Sequence, residues 1–326
     1  MRTAVMATIV MAAATPALAW GPEGHTVIAR VATADLNSQA TTDLHWIVSI
    51  GVPALNRLID QKYPKKCQID PNDPWGPVPD YRTDHDQHTN LANWADCFRY
   101  LDRSTAGWHF DDIPLGASPA GKLAVPNPDW CKPQDGCVSR AFADNLRKLA
   151  APDLTDPASV AMALAYVVHF LGDMHQPLHV EDNNHDLGGN DVAITTEGSG
   201  VSGTELHGLW DTPLVEKALG ANLDTATARV TSDVEHADPS WTAATKTVDD
   251  VIASTDGWVE DAHGKAQTAY SLLHIAVGAG TVSGVVVDQD YVRTESGVVR
   301  TQIDEAAVRL RAALNASLTW SPPLSH

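Results

Sequence analysis

The chain has 326 residues, 44% apolar and 19% charged, with ten tryptophans, a composition that allows a sizeable core and excludes long disorder. With 41 acidic against 22 basic side chains its formal net charge is −19, which excludes a protein that grips duplex DNA by counterion release over its whole surface. Contact with nucleic acid must then pass through a locally positive site.

Residues 1–19 hold Arg2, the apolar run AVMATIVMAAA and then Ala17-Leu18-Ala19, the form of a secretory leader with small residues before the cut. Cleavage there makes Trp20 the first residue of the mature chain, and losing Arg2 takes the charge from −19 to −20. No later run is long and apolar enough to span a bilayer, so a soluble, exported protein is expected, periplasmic or secreted, with a bacterial-style short leader. In that setting Cys67, Cys97, Cys131 and Cys137 read as two disulfides. Three pairings are open; Cys131–Cys137, a local clip, with Cys67–Cys97 is the favoured one.

From Trp20 a turn at Gly21-Pro22 leads into an amphipathic helix carrying Val27, Val31 and Leu36. Thr41–Tyr63 is helical in pattern, with Pro53 as its expected break, and residues 64–90, rich in Pro, Asp and Asn, predict a surface loop. LANWADCFRYLDR (91–103) predicts a helix and 111–137 a second loop. Two helices follow over Ala141–Ala150 and Ser159–Met174, the latter restarted by Asp156-Pro157. The glycine-rich 181–205 segment, with its alternating NDVAITTE, predicts a small β-hairpin. Helical pattern resumes from Glu205 through LHGLWDTPLVEKAL, then over Trp241–Val259 and Gly264–Ala279. VSGVVVDQDYV with VVR suggests a second hairpin before a last helix near Ile303–Leu318, where Glu305 precedes Arg309 by one turn. The expected fold is mostly α: a single-domain helical bundle over 20–326, with one or two small β-hairpins and no internal repeat.

The chemistry centres on Tyr166–His179, YVVHFLGDMHQPLH. On a helix His169 and Asp173 project from one face toward a common point, and His179 follows Pro177, from a turn that can reach back to the same cavity. Taken alone, such a His in an apolar helix is more often a hydrogen-bonded core residue; the pair's weight comes from a second copy at His207 and Asp211 in LHGLWD. Trp20, His25, Asp96, His109, His169, Asp173, His179, His207 and Asp211 form the set of candidate ligands. Five imidazoles and three carboxylates exceed the three or four ligands of one ion, and suit a zinc cluster of two or three.

In order, WGxxGH, WADxxR, HF, VHFxGDxxQPLH, GGN and LHxxWD resemble the zinc-dependent single-strand-specific nucleases of the S1/P1 type, relatives of bacterial zinc phospholipase C. The resemblance spans Trp20–Asp211 and implies a mostly helical domain with three zinc ions in a cleft. By position it implies one zinc on Asp96, His109, His169 and Asp173. Asp173 bridges to a second zinc, held also by His25 and by the α-amino and carbonyl groups of Trp20; His179, His207 and Asp211 hold the third. Arg99 falls where the family has a basic residue that stabilises charge on the phosphoryl oxygens, with Asp96 and Asp173 at the same reacting centre. Phe110 would stack a base, Asp112 would accept from its edge, and Gly188, Gly189 and Asn190 would line the base pocket. Asp111 and Asp112 are both acidic, which leaves open which faces the base. Without the resemblance Phe110 reads as core and GGN as a turn; the alternative for Arg99 is an ordinary surface arginine on a helix, but its place three residues after Asp96, on the ligand's face, favours a functional role.

The activity implied is hydrolysis of single-stranded RNA and DNA to 5′-phosphates, with 3′-nucleotidase action on 3′-mononucleotides, by a monomer with no membrane partner. Two physical points agree. An α-amino group titrates at about 7.7 to 8.0, so zinc displaces its proton near neutrality and leader removal doubles as activation. Three zinc ions bring six positive charges against three carboxylates, so the cleft is positive although the molecule is not. A phospholipase C is the alternative, with Phe110, Asn190 and Asp211 (where the lipases tend to carry Glu) against it. A zinc-binding protein without catalysis would have little need of Arg99.

Overall fold

The computed structural model describes residues 20–78, 88–117, 130–131 and 136–321; the expected leader lies outside them, as do parts of both expected loops. Helix α1 (Gly21–Ala34) opens with Pro22, where a missing N–H costs no helical hydrogen bond, and with Glu23, whose charge suits a helix N-terminus. Helix α2 (Ser38–Trp46) is capped by the Asn37 side chain, which accepts the Ala40 N–H at 2.9 Å. It continues through a π turn, Ile47–Gly51, into α3 (Val52–Lys62). Pro53 therefore does not break the helix as expected: the Val52 N–H reaches back to the Ile47 carbonyl, and the wider turn accommodates the proline.

Next come β1 (Gln68–Ile69) and β2 (His88–Thr89), paired in parallel, then α4 (Trp94–Leu101) and a 3₁₀ turn, Arg103–His109. Helix α5 (Val138–Ala150) leads to α6 (Pro157–Asp173), capped by the Asp156 side chain. Helix α6 is apolar on every side, with Val160, Leu164, Val167, Val168 and Leu171 buried, and such a helix belongs in the centre. Helices α1, α3, α4, α5 and the last helix, α11 (Gln289–Ser317), pack around it. Between them lie β3 (Val192–Thr195), α7 (Leu206–Asp211), α8 (Pro213–Leu219), α9 (Leu223–Val234), α10 (Val248–Leu272) and β4 (Val282–Val286). One contiguous apolar core results, with Trp20, Trp94 and Trp210 fully buried. No helix among the described residues is long and apolar enough to cross a membrane.

The strands correct the hairpin expectation. β3 pairs in parallel with β4, Val192 opposite Val282 and Thr195 opposite Val286, and among the described residues an antiparallel bridge from Ala193 to Glu205 is what remains of a hairpin at β3. The second hairpin is replaced by a helix start, because the Asp288 side chain accepts the Tyr291 N–H at 2.8 Å and nucleates α11 fourteen residues before Ile303. Alternation marks a strand but does not name its partner. Helix α9 was not expected; its Thr-rich sequence has weak intrinsic propensity, and Ala226, Val230 and Val234 hold it to the core. Helix α10 runs unbroken across the expected gap before Gly264, because Trp258, Val259, Ala262, Ala266 and Ala269 form one buried face. Both favoured disulfides are present, Cys67–Cys97 and Cys131–Cys137, with Cα separations of 5.7 and 5.1 Å.

Glu295 on α11 is 1% exposed, neither of its carboxylate oxygens has a hydrogen-bond partner, and burial pushes its carboxyl up to about 7. A carboxyl whose folded pKa is raised stabilises nothing extra in its charged form: stability is full below its ordinary range and declines as pH climbs through about 7. Glu295→Gln should therefore raise stability at pH 8 by something on the order of 2 kcal/mol and leave it little changed at pH 4. Denaturant melts at both pH values check this, and an equal fall with pH in both proteins would refute it.

Candidate metal centre

His169 and Asp173 occupy the last two turns of α6, and both are 0% exposed. The other side chains are brought to them by five different elements. His25 comes from the first turns of α1, Asp96 and Arg99 from α4, His109 from the end of the 3₁₀ turn, and His179 from a second 3₁₀ turn, Pro177–His179. His207 and Asp211 come from α7. Three groups form, each with ligating atoms within 4.8 Å of one another: His25, His169 and Asp173; Asp96, His109 and His169; His179, His207 and Asp211.

Asp173 stands between the first two groups. Its Oδ1 lies 3.3 Å from His25 Nε2, while Oδ2 lies 3.0 Å from His109 Nδ1 and 3.4 Å from His169 Nε2. Asp96 Oδ1 is 3.5 Å from His169 Nε2, 3.6 Å from His109 Nδ1 and 3.4 Å from Arg99 Nε. The rings of His25 and His169 stack at 4.0 Å. That approach requires Gly172, since a Cβ there would come to 2.6 Å from His25 Nδ1.

A ring of hydrogen bonds turns the imidazoles. His169 Nδ1 donates to the Ala92 carbonyl at 2.8 Å, His179 Nδ1 to the His109 carbonyl at 2.9 Å, and His207 Nδ1 to the Gly188 carbonyl at 2.6 Å. Each bond holds its ring with Nε2 facing inward, and in the neutral ring that nitrogen carries the lone pair. Gln176 donates to Asp211 Oδ1 at 2.8 Å and takes the Leu178 N–H at 2.6 Å. Sequence reading gave Gln176 no role, although its place in QPLH between two ligand candidates was the available signal.

Side-chain atoms of seven of these residues are buried with no hydrogen-bond partner among the described residues: His25 Nε2, Asp96 Oδ1, His109 Nε2, Asp173 Oδ1, His179 Nε2, His207 Nε2 and Asp211 Oδ2. So many orphaned acceptors converging in one interior are costly unless cations complete them. Asp173 also ends α6, at the negative pole of the helix, where a carboxylate is unfavourable and a cation is welcome. The donor set, imidazole nitrogen and carboxylate oxygen, fits zinc. Burial lowers the pKa of His25 and His179, and takes His109 and His207 to about 4, so these rings are neutral donors at pH 7. Burial likewise penalises charge on His169 and Asp96, but their neighbours outweigh it. The Asp173 and Asp96 carboxylates push His169 up to about 9, while Arg99 and His169 hold Asp96 well below the usual carboxylate range. Burial raises Asp211 well above the usual carboxylate range, and the Gln176 hydrogen bond and the more distant Arg99 charge only partly oppose it.

The remaining candidates lie around this centre. Trp20 is fully buried at φ 26°, a strained value for a non-glycine residue, and the next residue, Gly21, packs against the Asp211 carbonyl. Phe110 is half-buried, its ring 4.6 Å from that of His179 and 6.3 Å from that of His207, and the Arg99 guanidinium sits 6.0 Å from its centroid. Asp111 turns inward and accepts from Ser139 Oγ at 3.2 Å, whereas Asp112 is exposed. Gly188 has φ +60°, and a Cβ there would meet the Leu178 carbonyl at 2.3 Å. Asn190 donates to Leu187 at 2.6 Å and so ties its own loop. Beneath that loop the Tyr270 hydroxyl bridges Glu181 Oε1 at 2.6 Å and Asp186 Oδ2 at 2.5 Å, a support that no local motif announces.

The sequence from Trp20 to Thr319 matches the family model described as S1/P1 Nuclease. The chain belongs to the S1/P1 nuclease family. Nuclease S1 of Aspergillus oryzae is 27% identical over 235 residues, 69% of this chain and 77% of the relative. Endonuclease 2 of Arabidopsis thaliana is 23% identical over 314 residues, 91% of this chain and 89% of its own length. Nuclease P1 of Penicillium citrinum is 32% identical over a shorter stretch of 135 residues, 41% of this chain and 47% of the relative. Membership in the S1/P1 family makes the chain a hydrolytic nuclease, and the phospholipase C alternative is not favoured.

Glycine positions give a paired expectation. Gly172→Ala should lower Tm and displace His25, read as reduced zinc uptake, whereas Gly264→Ala on α10, where a Cβ meets open space, should stabilise by about 0.5–1 kcal/mol. Thermal melts with zinc titration test both, and equal effects at the two positions would contradict the close-approach argument.

Proposed function

We propose that the protein is a zinc-dependent endonuclease that cuts single-stranded RNA and DNA to 5′-phosphate products and removes the phosphate from 3′-mononucleotides. The observation that carries this reading is Asp173, one buried carboxylate whose two oxygens face separate ligand groups. Three zinc ions are assigned: one on Asp96, His109, His169 and Asp173; one on Asp173, His25 and the amine and carbonyl of Trp20; one on His179, His207 and Asp211. Zinc held there supplies Lewis acidity and concentrated positive charge, which acidifies water toward a pKa of about 7.

The chain's own residues do the rest. Arg99, buried beside Asp96, aims its guanidinium charge at the phosphoryl oxygens, whose negative charge grows as phosphorus is attacked. Phe110 stacks a base and Asp112, the exposed member of the acidic pair, accepts from the base edge; a base paired in a duplex offers neither face nor edge. Gly188 and Gly189 let the loop pass close to the base, and Asn190 fixes its conformation. Gln176 and the Gly188 carbonyl hold Asp211 and His207 in position. The low Lys and Arg content gains little from duplex phosphates, which favours single strands.

Residues 1–19 are assigned as a leader and 20–326 as one nuclease domain, with export supported by the two disulfides. All eight His and Asp ligands come from one chain, which supports action as a monomer. A leader retained before Trp20 removes the free amine. Such a protein should bind fewer zinc ions by elemental analysis and lose activity, and full activity with an extended N-terminus would overturn the amine's role. Mature protein should hydrolyse poly(A) and 3′-AMP but not a phosphatidylcholine emulsion. Arg99→Ala should lower kcat on the order of a hundredfold with zinc content unchanged; a normal kcat would remove Arg99 from the mechanism.

A further inference from the structure

Four of the chain's 22 basic side chains, Arg57, Lys62, Lys65 and Lys66, fall within ten residues at the end of α3, with Asp60 the one acid among them. Arg57, Lys65 and Lys66 line a cleft of about 680 Å³, together with Asn56, Asp60, Pro64, Gln68 and His88, so three cations there face one acid. In a molecule of net charge −19 this is a local reversal of sign. Concave walls of low dielectric focus such a field.

The cleft is joined to the metal centre by covalent and hydrogen-bonded links. Lys66 precedes Cys67, whose disulfide partner, Cys97, follows Asp96. The Tyr63 hydroxyl donates to the Leu101 carbonyl at 2.9 Å, fastening the end of α3 to the end of α4. Between cleft and centre the side chains alternate cation and aromatic ring. Lys62 Nζ lies 4.9 Å from the Tyr63 centroid, and Tyr100 has the Arg103 guanidinium at 5.4 Å and that of Arg99 at 5.7 Å. Arg99 in turn reaches Phe110. Rings that stack bases, interleaved with cations that meet phosphates, are what an unpaired strand needs.

We propose that this face is an extended binding track, along which nucleotides beyond the scissile one run from Phe110 past Tyr100 and Arg103 into the cleft of Arg57, Lys65 and Lys66. The ligand is single-stranded nucleic acid several nucleotides long, and the track makes the enzyme prefer such strands to mononucleotides. This rests on the nuclease reading above. The mononucleotide reaches the metal centre without touching the cleft, so the two substrates separate the claims.

The test compares the zinc-loaded wild type with R57E/K65E/K66E, on 3′-AMP and on a labelled 20-nucleotide oligo(dA), at 20 to 200 mM NaCl. The three altered side chains hold no position in the chemistry, and circular dichroism verifies the fold. The expected result is a KM for the 20-mer raised at least about tenfold at low salt, with kcat/KM for 3′-AMP unchanged. The salt slope of the 20-mer should also flatten by about 2, as three phosphate contacts at roughly 0.7 each require. An unchanged KM for the 20-mer, or equal losses on both substrates, overturns the track. If the wild type cuts neither substrate the nuclease reading fails by itself. Fluorescence anisotropy of the uncut strand then decides the track, supported by weaker binding to the variant and overturned by equal binding.

Discussion

The structure depends on keeping one carboxylate, Asp173, charged at the buried end of its central helix. Burial opposes that charge, and so does the negative pole of α6 on which the residue stands. What holds it well below the usual carboxylate range is the set of imidazoles gathered on both sides, His169 and His109 at one oxygen and His25 at the other. The helices that carry those rings are positioned by the same core that buries the acid. Gly172 permits α1 to approach, and the carbonyls of Ala92, His109 and Gly188 orient three of the rings.

The arrangement explains how a strongly acidic protein can address phosphate. Two places where cations stand together with functional geometry are Arg99 beside the candidate metal centre and the basic turn after α3. The Cys67–Cys97 bridge joins the two, since it links the residue after Lys66 to the residue after Asp96. The rest of the surface repels polyanions, which disfavours unproductive binding to duplexes and leaves recognition to contacts that need an exposed base.

Much of this was legible in the residues. His169 with Asp173 and His207 with Asp211 share helix faces by spacing alone, and the ordered motifs from WGxxGH to LHxxWD identified the family. The central helix was readable from an apolar run bounded by Asp156-Pro157. Misreadings fell where local signals compete. Pro53 marked a break that a π turn absorbs, Gly264 interrupted a pattern that packing carries through, and Asp288 began a helix inside what alternation reads as strand. The pairing of β3 with β4 joins segments about ninety residues apart, and nothing local to either strand selects that partner.

By itself the sequence determined residue chemistry and periodicity: which side chains can ligate, which faces are apolar, where helices begin with a cap. Only the tertiary structure decided that Asp173 divides its two oxygens between ligand groups, that Asp111 turns inward while Asp112 stays exposed, and that Gln176 and Tyr270 support the site. The reason is physical. Helical spacing fixes neighbours three or four residues apart, whereas the distance between atoms on different helices is set by how the whole core packs.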